Sequence, residues 1–262
     1  MTITTPNPIL SVVEPSPAVA IDACLPIDAG QLDYAVSMSL QADLVSRRKL
    51  DEVPDCLMFV QYPPTITQGK SGTMNHLLAS REDLLNRGVD FFYTNRGGDI
   101  TYHGPGQLIV YPILDLKKIR TDIHWYLRQL EACIIATLNS FGIESGRVSG
   151  ATGVWVGSWK IAAIGVRTSR WVTSHGLALN VDPELGFFDL IIPCGLANRQ
   201  VTSMSRHLGS ACPSLREVRL RFCECFAEVF ARRVQTELLE SRSMLYSFVH
   251  DSSQGARVNG SR

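Results

Sequence analysis

Residues 96–107 read Arg-Gly-Gly-Asp-Ile-Thr-Tyr-His-Gly-Pro-Gly-Gln, between two runs of strand-forming residues at 89–95 (VDFFYTN) and 108–116 (LIVYPILDL). Four glycines in twelve residues let backbone pass close to a ligand where a side chain would collide. An arginine, an aspartate, a histidine and a glutamine in the same stretch exceed what a connection needs. Two nucleotide readings fail. A dinucleotide fingerprint needs a helix directly after its glycines, and 108–116 reads as a strand; a Walker loop needs Gly-Lys-Ser/Thr, absent from this stretch. The stretch reads as the wall of a pocket for some other guest.

The surrounding pattern sets the fold class. Apolar, β-branched and aromatic runs at 56–63, 89–95, 108–116, 153–157, 160–166 and 176–181 predict strands. Leu32, Val36, Leu40 and Leu44 predict one helix, and Ile123, Leu127, Leu130, Ile134 and Leu138 a second, with Asp122 as its N-cap. Ser214 and Glu217 form a capping-box start to a third, and a shorter helix starts at Ser80. Gly157-Ser158 predicts a tight hairpin whose first turn residue is glycine. Helices and strands do not alternate regularly, so an α+β domain with a single mixed sheet fits better than a doubly wound parallel one. Residues 1–25, with prolines at 6, 8, 15 and 17, predict a flexible extension; 26–250 form the domain and 251–262 a disordered tail.

Composition excludes several classes. Lysine plus arginine equals aspartate plus glutamate at 25 each, so no global field draws the chain to nucleic acid or an anionic membrane. No run approaches the ~18 apolar residues of a spanning helix. Residues 1–25 lack lysine and arginine, against a secretory signal or an Arg-rich presequence; a soluble cytoplasmic protein is expected. Seven cysteines without a CxxC pair predict neither a disulfide framework nor a zinc site.

Four residues stand out. Cys194, between Pro193 and Gly195, sits in a turn after an apolar run, where a thiol is reachable and following N–H groups can face an oxyanion. Lys160 opens an apolar strand, and strict alternation puts it on one face with Ala162, Ile164 and Val166. An edge lysine that snorkels is the ordinary explanation; a lysine that meets a thiol favours the thiolate. His103 and His175 are each ordinarily structural, hydrogen-bonded residues.

Arg-Gly-Gly, two residues, Thr, an aromatic, His, two residues, Gly-Gln and an aliphatic strand ending in Tyr resembles the signature of the lipoyl(octanoyl) transferases. The blocks KIAAIGV, HGLALNV and PCG follow in that family's order, over Leu32 to Ser205. The resemblance implies the catalytic fold of the biotin and lipoate protein ligases. It implies transfer of an octanoyl group from octanoyl-acyl carrier protein to a lysine of lipoyl domains, in 2-oxoacid dehydrogenase complexes or the glycine cleavage H protein, through a cysteine thioester. Cys194 matches the acylated nucleophile and Lys160 the lysine that activates it. Arg96, Gly97, Gly98, Asp99, Ile100, Thr101, Tyr102 and His103 match a loop on the acyl substrate. Ala163, Ile164 and Gly165, and Gly176, Leu177 and Ala178, match two further walls, with His175 in support. The long N-terminal extension and His76, where a small polar residue is expected, depart from the pattern.

A thioester is already activated, so no ATP, cofactor or metal is expected. The glycines would form a narrow floor for the eight-carbon chain, with Gly97 and Gly98 leaving it room. At ~0.8 kcal/mol per buried CH₂, such a chain contributes on the order of 5 kcal/mol. An ATP-dependent lipoate ligase of the same fold and a non-catalytic scaffold for carrier or lipoyl domains are the alternatives.

Overall fold

The structure, a computed structural model, describes residues 23–192 and 200–236. Eight strands form one mixed sheet in the order β11 (Arg233–Val234), β1 (Ala23–Gln31), β2 (Asp55–Gln61), β6 (Gln107–Ile113), β10 (Val172–Asn180), β9 (Trp159–Ser169), β8 (Ala151–Val156) and β7 (Gly146–Val148). β1 runs parallel to β2 and β11, and the other neighbours are antiparallel. A small second sheet holds β4 (Asp90–Tyr93), β3 (Thr65–Gln68) and β5 (Ile100–His103) in that order.

Alternation along the central strands divides the core. Leu57, Phe59, Val110, Leu177 and Leu179 face α3 (Ile123–Ser140) and α5 (Leu215–Phe230), in a cluster with Leu130, Ile134, Phe222 and Phe226. The intervening Cys56, Met58, Val60, Ile109, Tyr111 and Ala178 cluster with Leu40, Leu44 and Val45 of α1 (Tyr34–Lys49). Burial on both faces is why residues 56–60 are continuously apolar rather than alternating.

Helix starts follow their caps. The Asp122 carboxylate accepts the Trp125 N–H at 2.9 Å, and Ser214 with Glu217 closes a reciprocal capping box ahead of α5. A second box, Ser80 with Asp83, opens α2 (Arg81–Asn86). The α1 stripe differs from expectation: Val36 is 50% exposed, while Tyr34, Ser37, Gln41, Leu44 and Arg48 are buried. That face follows a three-and-four spacing, and Val36 lies about 100° off it.

Two departures concern strands. Ala23, Cys24 and Leu25, read from the sequence as the end of an extension, open β1, with Cys24 and Leu25 opposite Asp55 and Cys56. Ile100–His103, read as loop, is a strand paired with β3.

Pro112, in the middle of the large sheet, lacks the N–H that a central strand needs. The ladder is repaired by side chains. Thr173 on β10 donates its hydroxyl proton to Pro112 O at 2.7 Å and accepts the Leu114 N–H at 2.9 Å. The His175 N–H goes to the Gln41 side chain on α1, and His175 takes a left-handed φ of 55°. Replacing Thr173 with valine keeps shape but strands two buried backbone groups, and is expected to cost roughly 1–3 kcal/mol in urea unfolding. Thr173→Ser should retain most of that stability; equal, negligible losses in both variants would contradict this account.

Candidate active site

Lys160 reaches the site through a break in alternation. Val154 pairs with Ala162, yet Trp155 pairs with Lys160, leaving Ile161 as the extra residue of a β-bulge. Ile161 and Ala162 both enter the helix-side core, and Lys160 emerges on the opposite face, where it lines a cleft with Ala163. The face shared with Ala162, Ile164 and Val166, expected from strict alternation, is thereby corrected. The Lys160 N–H donates to Gln200 O and its carbonyl accepts the Thr202 N–H, both at 2.9 Å.

Gln200 is the first residue described after 193–199, the stretch that holds Cys194, which therefore lies outside the described residues. On the other flank the Ile192 N–H donates to His76 O at 2.8 Å. His76 Nδ1 meets Asp99 Oδ2 at 2.6 Å, so the residue noted as a departure ties this flank to the Arg-Gly-Gly-Asp stretch. No spacing rule in the sequence links the two.

The stretch itself splits by strand alternation. Thr101 and His103 on β5 face the cleft, whereas Tyr102 turns away, stacked on Phe187 at 5.0 Å between ring centres. Arg96 is internal: Nη2 donates to Thr67 O at 2.7 Å and Thr67 Oγ1 at 2.9 Å, and Nη1 to Gly97 O at 3.1 Å. The Gly97 N–H donates to Val166 O on β9 at 2.9 Å.

Three of the glycines expected to floor the cleft, Gly97, Gly165 and Gly176, lie against backbone. A Cβ on Gly165 would lie 2.7 Å from Gly97 O, one on Gly97 3.1 Å from Val166 O, and one on Gly176 would strike Val110 O. Gly98 adopts φ +84°, open to glycine and strained for other residues. The small floor is instead Ala163 and Ala178, which pair directly across β9 and β10. Both line two adjoining compartments of ≈ 50 and ≈ 20 Å³, together with Thr101 and Lys160.

Arg96, Gly98, Asp99, Ile100, His103, Ile164, Gly165, His175, Gly176 and Leu177 complete the wall with Tyr34 and Tyr111. Among the described candidate residues, Gly97 and Tyr102 are not brought to it. A larger open cleft, ≈ 610 Å³, lies by Ile143, Arg147 and His207 at the sheet's far edge, and no described residue of the four sequence blocks lines it. Among the described residues no His, Cys, Asp or Glu cluster could hold a metal.

Both histidines are driven neutral. Burial, then the Arg96 guanidinium, pushes His103 down to about 3; burial, then Arg96 and Arg167, pushes His175 down to about 4. His175 Nε2 lies 2.9 Å from Asn95 Oδ1. His103 Nδ1 is buried without a hydrogen-bond partner among the described residues. The six described cysteines are free, and burial raises every one of their thiols, Cys223 up to about 12.

Residues 33–227 match the family model of the lipoyl protein ligase A/B catalytic domain. An octanoyltransferase of Solibacter usitatus is 51% identical over 201 residues, covering 77% of this chain and 90% of that one. A mitochondrial octanoyltransferase of Arabidopsis thaliana is 43% identical over 203 residues, 77% of this chain and 86% of its own. A bipartite lipoate protein ligase of Thermoplasma acidophilum, solved in a study of that ligase and its E2 lipoyl domain, shares the fold. Its TM-score is 0.62 at 16% identity, over 88% of this chain and 91% of that chain.

The histidine shifts set a pH dependence. Unfolded imidazoles bind protons near the ordinary 6.5 while the folded ones resist, so stability is full above that value and falls as pH drops toward 4. The slope is about 1.4 kcal/mol per pH unit for each histidine. His103→Gln should make denaturant-measured stability fall less steeply between pH 6 and pH 4.5, roughly by one proton. Identical slopes in the two proteins would contradict the buried neutral imidazole.

Proposed function

The chain belongs to the lipoyl protein ligase A/B catalytic-domain family, and from that premise we infer that it is an octanoyltransferase, an acyltransferase serving protein lipoylation. The observation that carries the reading is the buried Lys160, turned by a bulge onto the small-residue floor of a cleft walled by the Arg-Gly-Gly-Asp stretch. Octanoyl-acyl carrier protein is the donor. The acceptor is a lysine of lipoyl domains in 2-oxoacid dehydrogenase complexes or the glycine cleavage H protein. Residues 23–250, with β1 opening at Ala23, act as one catalytic domain in the cytoplasm.

Cys194 is the nucleophile and Lys160 its partner. The ammonium of Lys160 pairs with the Cys194 thiolate. The thiolate attacks the donor thioester carbonyl; the new carbon–sulfur bond forms, the bond to the carrier thiol breaks, and Lys160 gives that thiolate its proton. The now neutral Lys160 takes a proton from the acceptor amine as the amide bond forms and the Cys194 thiolate departs. The ion pair is restored, with nothing consumed beyond donor and acceptor. Support comes from the two flanks of 193–199, one bonded to Lys160 and the other to His76, which pairs with Asp99. The raised thiols of the other six cysteines leave them poor competitors.

The test is intact-mass spectrometry after mixing the protein with octanoyl-acyl carrier protein in the absence of ATP. One hydroxylamine-labile octanoyl group should appear, and none on Cys194→Ser. Acylation at Cys56 or Cys212, or a requirement for ATP, would overturn the reading.

Chain-length selection should follow the alanine pair. Ala178→Leu overpacks the floor at a typical ~1–3 kcal/mol, so octanoyl transfer should fall about 5- to 150-fold while butanoyl transfer largely survives. Gly98→Val, at φ +84°, should instead lower the melting temperature and depress all donor lengths together. Equal losses across donors in the Ala178 variant would show that the alanines do not floor the acyl site.

A further inference from the structure

Lys160 and Trp155 are direct cross-strand partners, and Lys160 Nζ lies over the indole at 5.3 Å from the ring centre. The ring is 2% exposed, so water does not compete for its face. One residue pair along β8, Gly153 adopts φ +128°. A Cβ there would sit 2.6 Å from Lys160 Cε, 3.3 Å from Nζ and 2.6 Å from Ala162 O. Gly153 is in turn fixed by its N–H to Glu131 Oε1 on α3, at 3.2 Å. Glu131 is fully buried, and Arg128 and Arg147 hold its other oxygen at 2.6 and 2.8 Å.

We propose that Trp155 and Gly153 form a seat on β8 that fixes the Lys160 ammonium in the cleft, making them positioning residues for acyl transfer. A lysine stem has four flexible carbons, and a bare bulge would leave its tip free to sample many rotamers. The indole face attracts the cation from one side. The hydrogen of Gly153 admits the stem where any larger group would expel it. Neither residue needs to touch the acyl chain, so the seat acts on Lys160 and leaves donor binding alone. The inference rests on Lys160 taking part in transfer, as proposed above.

The test compares the full chain with Trp155→Leu, Trp155→Phe and Lys160→Ala, using octanoyl-acyl carrier protein and an apo lipoyl domain. Gly153→Ala adds backbone strain to crowding, so the tryptophan carries the experiment. Removing the indole should lower kcat about 2- to 30-fold, the range of a cation–π contact, with KM for the donor unchanged. Phenylalanine should restore much of the loss. In carbon-13 lysine spectra of the wild type, the Lys160 ε-methylene protons should sit upfield through the indole ring current and lose that shift in Trp155→Leu. An unshifted wild-type signal overturns the seat, whatever the stability of the variants. A Trp155→Leu variant with wild-type kcat, while Lys160→Ala is inactive, overturns the seat alone. Full activity in Lys160→Ala overturns the seat's catalytic meaning together with the role of Lys160.

Discussion

One extra residue in β9 decides which face of the sheet carries Lys160. Without the bulge at Ile161, the register set by Val154 and Ala162 would turn Lys160 toward the cluster of Leu130, Ile134 and Phe222. An ammonium turned into that apolar cluster would lose its water, a penalty of several kcal/mol. With the bulge, Ile161 and Ala162 fill that core and Lys160 crosses to the other face. The same residue's backbone anchors Gln200 and Thr202, so the bulge places the lysine and one flank of the cysteine segment together.

The opposite wall of the cleft depends on backbone lying on backbone. Gly97 hydrogen-bonds β9 at Val166, Gly165 accommodates the Gly97 carbonyl, and Arg96 spends its guanidinium on Thr67 and Gly97 rather than on the cleft alone. Glycine is required here for close approach, while Ala163 and Ala178 keep the floor of the cleft small. Arg96 also acts at a distance: its charge helps keep His103 and His175 neutral. The cleft thus combines fixed cations with uncharged imidazoles, a setting that favours a thiolate or an oxyanion.

Much of this was legible in the sequence, and for local reasons. The Asp122 cap, the Ser214 box and the Gly157-Ser158 turn are each set by residues within a few positions of one another. The two-residue turn forms between Val156 and Trp159, with φ +58° at Gly157. The four sequence blocks likewise marked most of the residues that meet at the cleft. What could not be read is relational. Alternation gave the wrong face for Lys160 because a bulge depends on the partner strand; reading 100–103 as loop hid the place of Tyr102, which packs against Phe187 and Phe188 away from the cleft. Val36 misled because α1 buries Ser37, Gln41 and Arg48, polar residues satisfied by Tyr62, His175 and Asp55. The His76–Asp99 pair joins two segments that only the small sheet brings together.

The central claim is that Lys160 holds Cys194 as a thiolate. Because burial raises the other six thiols, the ultraviolet thiolate absorbance of the folded protein near neutral pH reports on Cys194 almost alone. That absorbance, titrated in the wild type and in Lys160→Met, is the most direct measurement. The account expects a wild-type transition below the ~8.5 of a free cysteine, shifted upward once the ammonium is removed. Superimposable curves from two folded proteins would contradict it.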